Sequence, residues 1–317
     1  MDDIKVSVIC LVYNHAQFLR PCLDGFVMQK TNFKFEVIIH DDASTDGSAD
    51  IIREYAAKHP DIFVPIYQNE NQYSQGKGIV KPHMYPKTKG EYVAWCEGDD
   101  CWTHPEKLQR QVDFLDSHPD FVACTHRALV HKCSTNTSLP FPNLLKSREY
   151  LANEIIRKST GLPFATASLM MRKETLFTMP DVYLAKGFGD IQKYIYSAIE
   201  GRLWCLEDIM SIYNSGTNGS FTMRMRQNNE KRAKHFKEFI NLMDRLDSYY
   251  DFKYHDAFDF AKKTCEVNLY MLTGDKESLK KDVYKPFVKV YRLAKIKNFI
   301  AYRFPIIKKV KVLVFKK

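Results

Sequence analysis

The sequence predicts an α/β fold: a mostly parallel sheet flanked by helices, then a helical appendage and a basic amphipathic tail. Three observations carry this. Apolar, β-branched runs alternate with helix-period segments as far as residue 130. From Met223 the periodicity is helical throughout. Residues 283–317 hold eleven Lys or Arg and no Asp or Glu.

Ile4–Val12 (IKVSVICLV) is an almost unbroken apolar run, as expected of a strand covered on both faces. Over 15–29, Phe18, Cys22 and Phe26 recur at helical spacing. Phe35–His40 (FEVIIH) reads as a second buried strand and ends in Asp41-Asp42. Asp46–Lys58 reads as a helix with Ile51, Ile52, Tyr55 and Ala56 on one side. Phe63–Tyr67 is a short strand, and Glu91–Cys96 (EYVAWC) another, running into Glu97-Gly98-Asp99-Asp100. Thr103 and Glu106 have capping-box spacing, with Pro105 between them, before a helix carrying Leu108, Val112 and Leu115. Asp120–Thr125 follows as a strand, and 134–165, with Pro140, Pro142 and Pro163, as loop. Ala165–Met171 and Leu203–Tyr213 read as strands, with Asp190–Glu200 as a helix between them. Phe236, Phe239, Ile240, Met243 and Leu246 form one apolar stripe; Phe258, Ala261, Cys265, Leu269 and Leu272 form the next. The expected units are therefore 1–222, 223–282 and 283–317.

Composition narrows the function. At 45% hydrophobic and 27% charged, the chain is neither disordered nor a disulfide-stapled miniature. Net charge is +9, but outside 283–317 there are 36 basic against 38 acidic residues. A near-neutral body argues against a nucleic-acid partner. The eight Cys form no CxxC pattern, and Cys10 and Cys124 sit in apolar runs, which suits buried thiols in a reducing compartment. The ten His show no zinc spacing, and Gly76-Lys77-Gly78 lacks Walker spacing. Arg172 and Trp204 read as structural. No signal peptide and no spanning helix is recognisable, so the expectation is a cytoplasmic chain.

In parallel sheets ligands bind beyond the carboxyl ends of the strands. The first strand ends at Val12-Tyr13-Asn14, the second at Asp41-Asp42-Ala43-Ser44-Thr45-Asp46-Gly47-Ser48, and a later one at Glu97-Gly98-Asp99-Asp100-Cys101-Trp102. These clusters should face one crevice. Adjacent carboxylates there suit a hard divalent cation, which takes one or two protein oxygens and the rest from phosphate and water. Ser44, Thr45 and Asp46 read more simply as helix caps.

Order and spacing of the three motifs resemble the family 2 glycosyltransferases, whose nucleotide-sugar domain has the Rossmann-like GT-A fold. The likeness covers about residues 4–220. The family's second motif usually reads DDGSTDGS, and here Ala43 replaces the Gly. The resemblance implies that Asp100 binds Mn²⁺ or Mg²⁺ and that Asp99 meets the ribose or shares the metal. It implies that Asp42 accepts the imide N–H of uracil, that Asp41 holds the loop or ribose, and that Val12, Tyr13 and Asn14 border the nucleotide. Asn69, Asn71 and Gly76 lie where the family has a loop near the nucleotide. Gly187-Phe188-Gly189-Asp190 resembles the acceptor-side Gly-Asp element, which makes Asp190 the general base. No Gln-x-x-Arg-Trp motif is present, which favours single-sugar transfer over processive synthesis.

The expected activity is inverting transfer of one hexose from a UDP-sugar to a hydroxyl of a glycan, lipid-linked in the simplest scheme, in bacterial surface-polysaccharide synthesis. Lys285, Lys289, Arg292 and Lys295, interleaved with Phe287, Val288, Tyr291 and Ile296, suit an anionic membrane surface and a peripheral position on its inner face. Two rivals stand beside this reading. An NAD-type Rossmann oxidoreductase lacks its G-x-G-x-x-G after the first strand, where the chain reads VYNHAQF. A non-catalytic membrane or nucleic-acid binder would rest on the tail alone.

Overall fold

The computed structural model describes residues 3–293 apart from 186, 218 and 219. Two compact units divide the chain, one ending at Gln227 and the other starting at Asn228.

In the first unit ten strands form one sheet: β1 (Ile4–Val12), β2 (Lys34–Asp41), β3 (Phe63–Tyr67), β4 (Tyr92–Trp95), β5 (Cys101–Trp102), β6 (Ala123–Lys132), β7 (Thr137–Phe141), β8 (Arg148–Tyr150), β9 (Met170–Arg172) and β10 (Leu203–Ser215). Their order is β3-β2-β1-β4-β9-β6-β10-β5, with β7 on β6 and β8 on β10. β3, β2, β1 and β4 pair in parallel, as do β6 and β10. β9 is antiparallel to both β4 and β6, so those two also point the same way. The carboxyl ends of β1, β2, β4, β6 and β10 therefore share one edge.

The helices are α1 (Ala16–Val27), α2 (Ser48–Lys58), α3 (Lys107–Ser117), α4 (Ala152–Lys158), α5 (Lys173–Phe177), α6 (Gly189–Glu200) and α7 (Phe221–Gln227). Val6, Val8, Cys10 and Val12 pack in one cluster with Leu19, Leu23 and Phe26 of α1, Ile52 of α2 and Leu108, Val112 and Leu115 of α3. Ile9, Ile38 and Val93 alternate onto the opposite face and are equally buried, which is why these strands read as continuous apolar runs. All eight cysteines are free thiols.

Four expectations are corrected locally. α2 starts at Ser48 rather than Asp46, because Gly47 takes φ +88° and the Asp46 carboxylate turns to accept the Ala16 amide at 2.9 Å. The Thr103–Glu106 box does not form. The Thr103 amide donates to the Met210 carbonyl at 2.9 Å, extending the β5–β10 pairing. The Leu108 amide instead donates to Gln29 Oε1 at 3.1 Å, a cap supplied by another segment. The 134–165 segment holds β7, β8 and α4; Pro140 sits on edge strand β7, where a missing N–H costs nothing. Of the Ala165–Met171 run only the end is strand, since Thr166–Ser168 is a 3₁₀ turn. Side chains serve its buried carbonyls: Trp102 Nε1 donates to Ala167 and Gln111 Nε2 to Ser168. Arg172 and Trp204 are structural as expected. Arg172 ties the Phe121 and Leu115 carbonyls, and Trp204 stacks on Phe114 at 5.1 Å.

In the second unit, Asn228 caps α8 (Asn229–Tyr249) by accepting the Lys231 amide, and α9 (His255–Thr273) ends on Gly274 at φ +76°. The short α10 (Lys276–Lys280) follows. Phe239, Met243 and Leu246 of the first stripe and Phe258, Ala261 and Cys265 of the second are buried. Residues 285–293 are helical, and here the membrane reading of the tail is corrected in part. Tyr284, Phe287, Val288 and Tyr291 pack with Val267 and Tyr270 of α9, so this apolar face is already covered. Lys295 and the residues after it lie outside the described residues.

One glycine tests the packing of α1. A Cβ on Gly25 would lie 2.8 Å from the Trp102 carbonyl oxygen and 3.0 Å from its nitrogen, both backbone atoms. Alanine gains up to about 1 kcal/mol over glycine inside a helix, but backbone cannot step aside cheaply. Gly25→Ala is therefore expected to destabilise the fold by about 1–3 kcal/mol, read from the urea midpoint; an unchanged or higher midpoint would refute the close approach.

Candidate active site

One side of the candidate site is built by two strand ends. Asn14 turns the chain after β1 at φ +56°. The Asp42 amide donates to the Val12 carbonyl at 3.0 Å, which continues the β1–β2 ladder past both strands. The following loop then caps α1 from outside: Ser44 Oγ accepts the Asn14 amide, Ser48 Oγ the His15 amide and Asp46 Oδ2 the Ala16 amide, at 2.9–3.0 Å. Asn14 Oδ1 answers by accepting the Thr45 amide at 2.8 Å. The capping read from the sequence is thus present and serves two helices: these oxygens cap α1, while Asp46 Oδ1 accepts the amide of Ser48, the first residue of α2, at 3.1 Å.

Asp41 and Asp42 are both 2% exposed. Asp42 Oδ1 and Oδ2 accept the amides of Gln72 and Tyr73 at 2.8 and 3.1 Å, and Asn71 Nδ2 donates to the Asp42 carbonyl. This carboxylate organises the 71–73 loop. Asp41 Oδ2 accepts the Ser44 amide at 3.2 Å, while Oδ1 is buried with no hydrogen-bond partner. Tyr13 is not a core residue; it is 40% exposed.

The acidic turn after β4 sits against β1. A Cβ on Gly98 would lie 2.9 Å from both Val12 Cγ2 and His15 Nδ1, so only glycine lets the turn approach. The turn is held from β10: Asn214 donates its amide to Asp100 Oδ1 at 2.9 Å and its side-chain nitrogen to the Asp99 carbonyl at 2.7 Å. Thr217 Oγ1 donates to Asp99 Oδ2 at 3.1 Å. Asp100 Oδ2 is buried and unpartnered.

The electrostatics show that these groups share one space. Burial, then Asp99 and Glu97, push the Asp100 carboxyl well above its usual range. Burial, then Asp190 and Asp99, push the partly buried Glu97 up to about 8. Burial lowers the His15 imidazole against the opposing pull of Asp99, Asp46 and Asp41. A continuous acidic seam thus runs from Asp41 past His15 to Asp99, Asp100 and Glu97, and on to Asp190.

Asp190, second residue of α6, does not cap its helix. Thr166 Oγ1 donates to its Oδ2 at 2.8 Å, and Lys193 Nζ lies 3.2 Å from Oδ1. The side chain keeps 29% of its surface in solvent, enough to meet a substrate hydroxyl.

Among the described residues no three His, Cys, Asp or Glu side chains form a ready metal cage. The donors nonetheless fit a hard cation that draws its remaining ligands from a diphosphate: Asp100 offers a vacant buried oxygen, Asp99 stands beside it, and the cluster's mutual repulsion is what a cation relieves.

The fold has known counterparts. The chain superposes on Staphylococcus aureus TarS, solved with UDP-GlcNAc, at TM-score 0.60 and 17% identity, covering 90% of this chain and 78% of that one. It also superposes on the mannosyltransferase PcManGT of Pyrobaculum calidifontis, solved with GDP-Man and Mn²⁺, at TM-score 0.55 and 20% identity, covering 99% and 88%. The fold is therefore of the GT-A glycosyltransferase type. Residues 7–177 match the family described as glycosyl transferase family 2, and the chain belongs to that family. An uncharacterised protein of Mycobacterium tuberculosis is 33% identical over 223 residues, 68% of this chain and 60% of that protein. The putative teichuronic acid biosynthesis glycosyltransferase TuaG of Bacillus subtilis is 27% identical over 56% of this chain and 66% of its own. The match thus spans about 60% of the mycobacterial relative's length.

Sequence reading missed His15, Thr166, Lys193, Asn214 and Thr217. Lys193 was legible as the i+3 neighbour of Asp190 on a helix. Asn214 and Thr217 had no local signal, since only the β5–β10 pairing brings them to the acidic turn.

Two outcomes follow from this geometry. Ala43 holds φ +60°, where an L side chain costs about 1–2 kcal/mol; glycine returns part of that to unfolded-chain entropy, about 0.4–1 kcal/mol. Ala43→Gly is expected to raise stability by about 0.5–1 kcal/mol in chemical denaturation; a loss would refute the strain. Glu97 has its carboxyl raised, so its contribution is complete below its ordinary value of 4.5 and lost as pH rises to about 8. The melting temperature should fall across that window, and Glu97→Gln should flatten the fall; parallel curves would refute the assignment.

Proposed function

We propose that the protein transfers one sugar, with inversion, from a UDP-sugar to a hydroxyl of a surface glycan. The single observation that carries the reading is the convergence of Asp99, Asp100 and Asp190 on one sheet edge, with the Asp190 carboxylate open to solvent. Relatives named for teichuronic acid and poly(ribitol-phosphate) glycosylation support the substrate class.

The acceptor hydroxyl attacks the anomeric carbon from the side opposite the diphosphate. Asp190 takes the hydroxyl proton as the new C–O bond forms, and the sugar–phosphate bond breaks with its electron pair leaving on UDP. Asp100, with Asp99 beside it, would hold Mn²⁺ or Mg²⁺, which supplies charge compensation for the departing diphosphate. Asn214 and Thr217 keep those carboxylates aimed, and Thr166 keeps Asp190 aimed. On the base side, Val12, Tyr13 and Asn14 border the nucleotide and Asp41 braces the loop. Asp42 retains a lone pair on each oxygen for the uracil imide, and the 71–73 loop must shift to admit it.

Among the described residues no helix is long and apolar enough to cross a membrane. Peripheral association on the cytoplasmic side would rest on the basic residues from Lys295 onward, because the apolar face before them is packed on α9.

A UDP-sugar panel with Mn²⁺, read for UDP release, tests the reading. Asp190→Asn and Asp100→Ala should each lower turnover by about 10³-fold or more, while Asp190→Asn still binds UDP in calorimetry. Wild-type turnover in either variant would sink its assignment, and stabilisation by NAD but not by UDP would favour an oxidoreductase.

A further inference from the structure

We infer that Lys193 is a positioning residue for Asp190: its ammonium, seated on the Trp95 ring, fixes the carboxylate that takes the acceptor's proton. The inference rests on the reading of Asp190 as base and adds a residue that neither the motifs nor the comparisons assign.

The geometry is specific. Lys193 is 8% exposed, its Nζ 3.2 Å from Asp190 Oδ1 and 4.7 Å from the centroid of the buried Trp95 ring. Thr166 takes the other Asp190 oxygen. One oxygen is therefore pinned by a charge and the other by a hydroxyl, while 29% of the side chain stays in solvent. Asp190 acts electrostatically on Lys193 and Tyr194 from α6, on Glu97 and Asp100 from the acidic turn and on Tyr85 from a 3₁₀ turn before β4. Among these described residues Lys193 is the one cation.

Stability alone is a poor reason for this lysine. A buried ion pair is often matched or bettered by apolar residues of similar volume, and methionine would fill the same space. What methionine cannot do is hold Asp190 Oδ1 with a charged donor. A misdirected base loses rate while donor binding stays intact.

The test measures steady-state kinetics for Lys193→Met, Lys193→Arg, Asp190→Asn and the Lys193→Met/Asp190→Asn double variant. Lys193→Met is expected to lower kcat about 10²-fold with KM for the UDP-sugar within about threefold, and Lys193→Arg to recover much of the loss. In the Asp190→Asn background Lys193→Met should cost little more, since residues acting as one unit are non-additive. Wild-type kcat in Lys193→Met, a loss in KM alone, or a full further loss in the double variant would overturn the inference. Should Lys193→Met fail to fold, Lys193→Gln carries the same comparison. Wild-type turnover in Asp190→Asn would instead bring down the base assignment itself, so the two failures are told apart.

Discussion

Like charges confined at one sheet edge are the constraint around which this protein is organised. Burial raises the proton affinity of Glu97 and Asp100, and the neighbouring carboxylates Asp99 and Asp190 add to it. Asp99, Asp100 and Asp190 are each restrained by a neutral or cationic donor: Thr217 on Asp99, Asn214 on Asp100, and Thr166 and Lys193 on Asp190. Such a cluster is costly by itself. In the proposed reaction a cation and a diphosphate would relieve it, which would place binding free energy where the chemistry needs it.

Much of the architecture was legible because the strands carry their own evidence. β1 and β3 have the bounds that their apolar runs predict, and both faces of β1 are buried, which is why alternation is absent. The misreadings share a cause: a partner distant in sequence overrode a local signal. Thr103 has the spacing of a cap but is recruited by Met210, and Gln29 supplies the cap instead. Pro140 reads as a loop breaker but stands on an edge strand that tolerates it.

The site divides along the same line. The strand-end carboxylates Asp41, Asp42, Asp99 and Asp100 were legible, since strand order alone sends them to one edge. Their restraints were not, because Asn214 lies 114 residues from Asp100 and only the pairing of β10 with β5 joins them. The tail shows the opposite error. Its amphipathic pattern is real, but the apolar side of 284–291 serves the core around Val267. Periodicity reveals that a face is covered, not what covers it.

The loop from Asp41 to Ser48 has a wider implication. By lending Ser44, Asp46 and Ser48 to the amides at the start of α1, it makes one flank of the candidate site a brace of the fold itself. The Thr166 turn beside Asp190 is anchored just as firmly, its carbonyls taken by Trp102 and Gln111. Substitutions on either flank of the candidate site would therefore register in thermostability as well as in turnover.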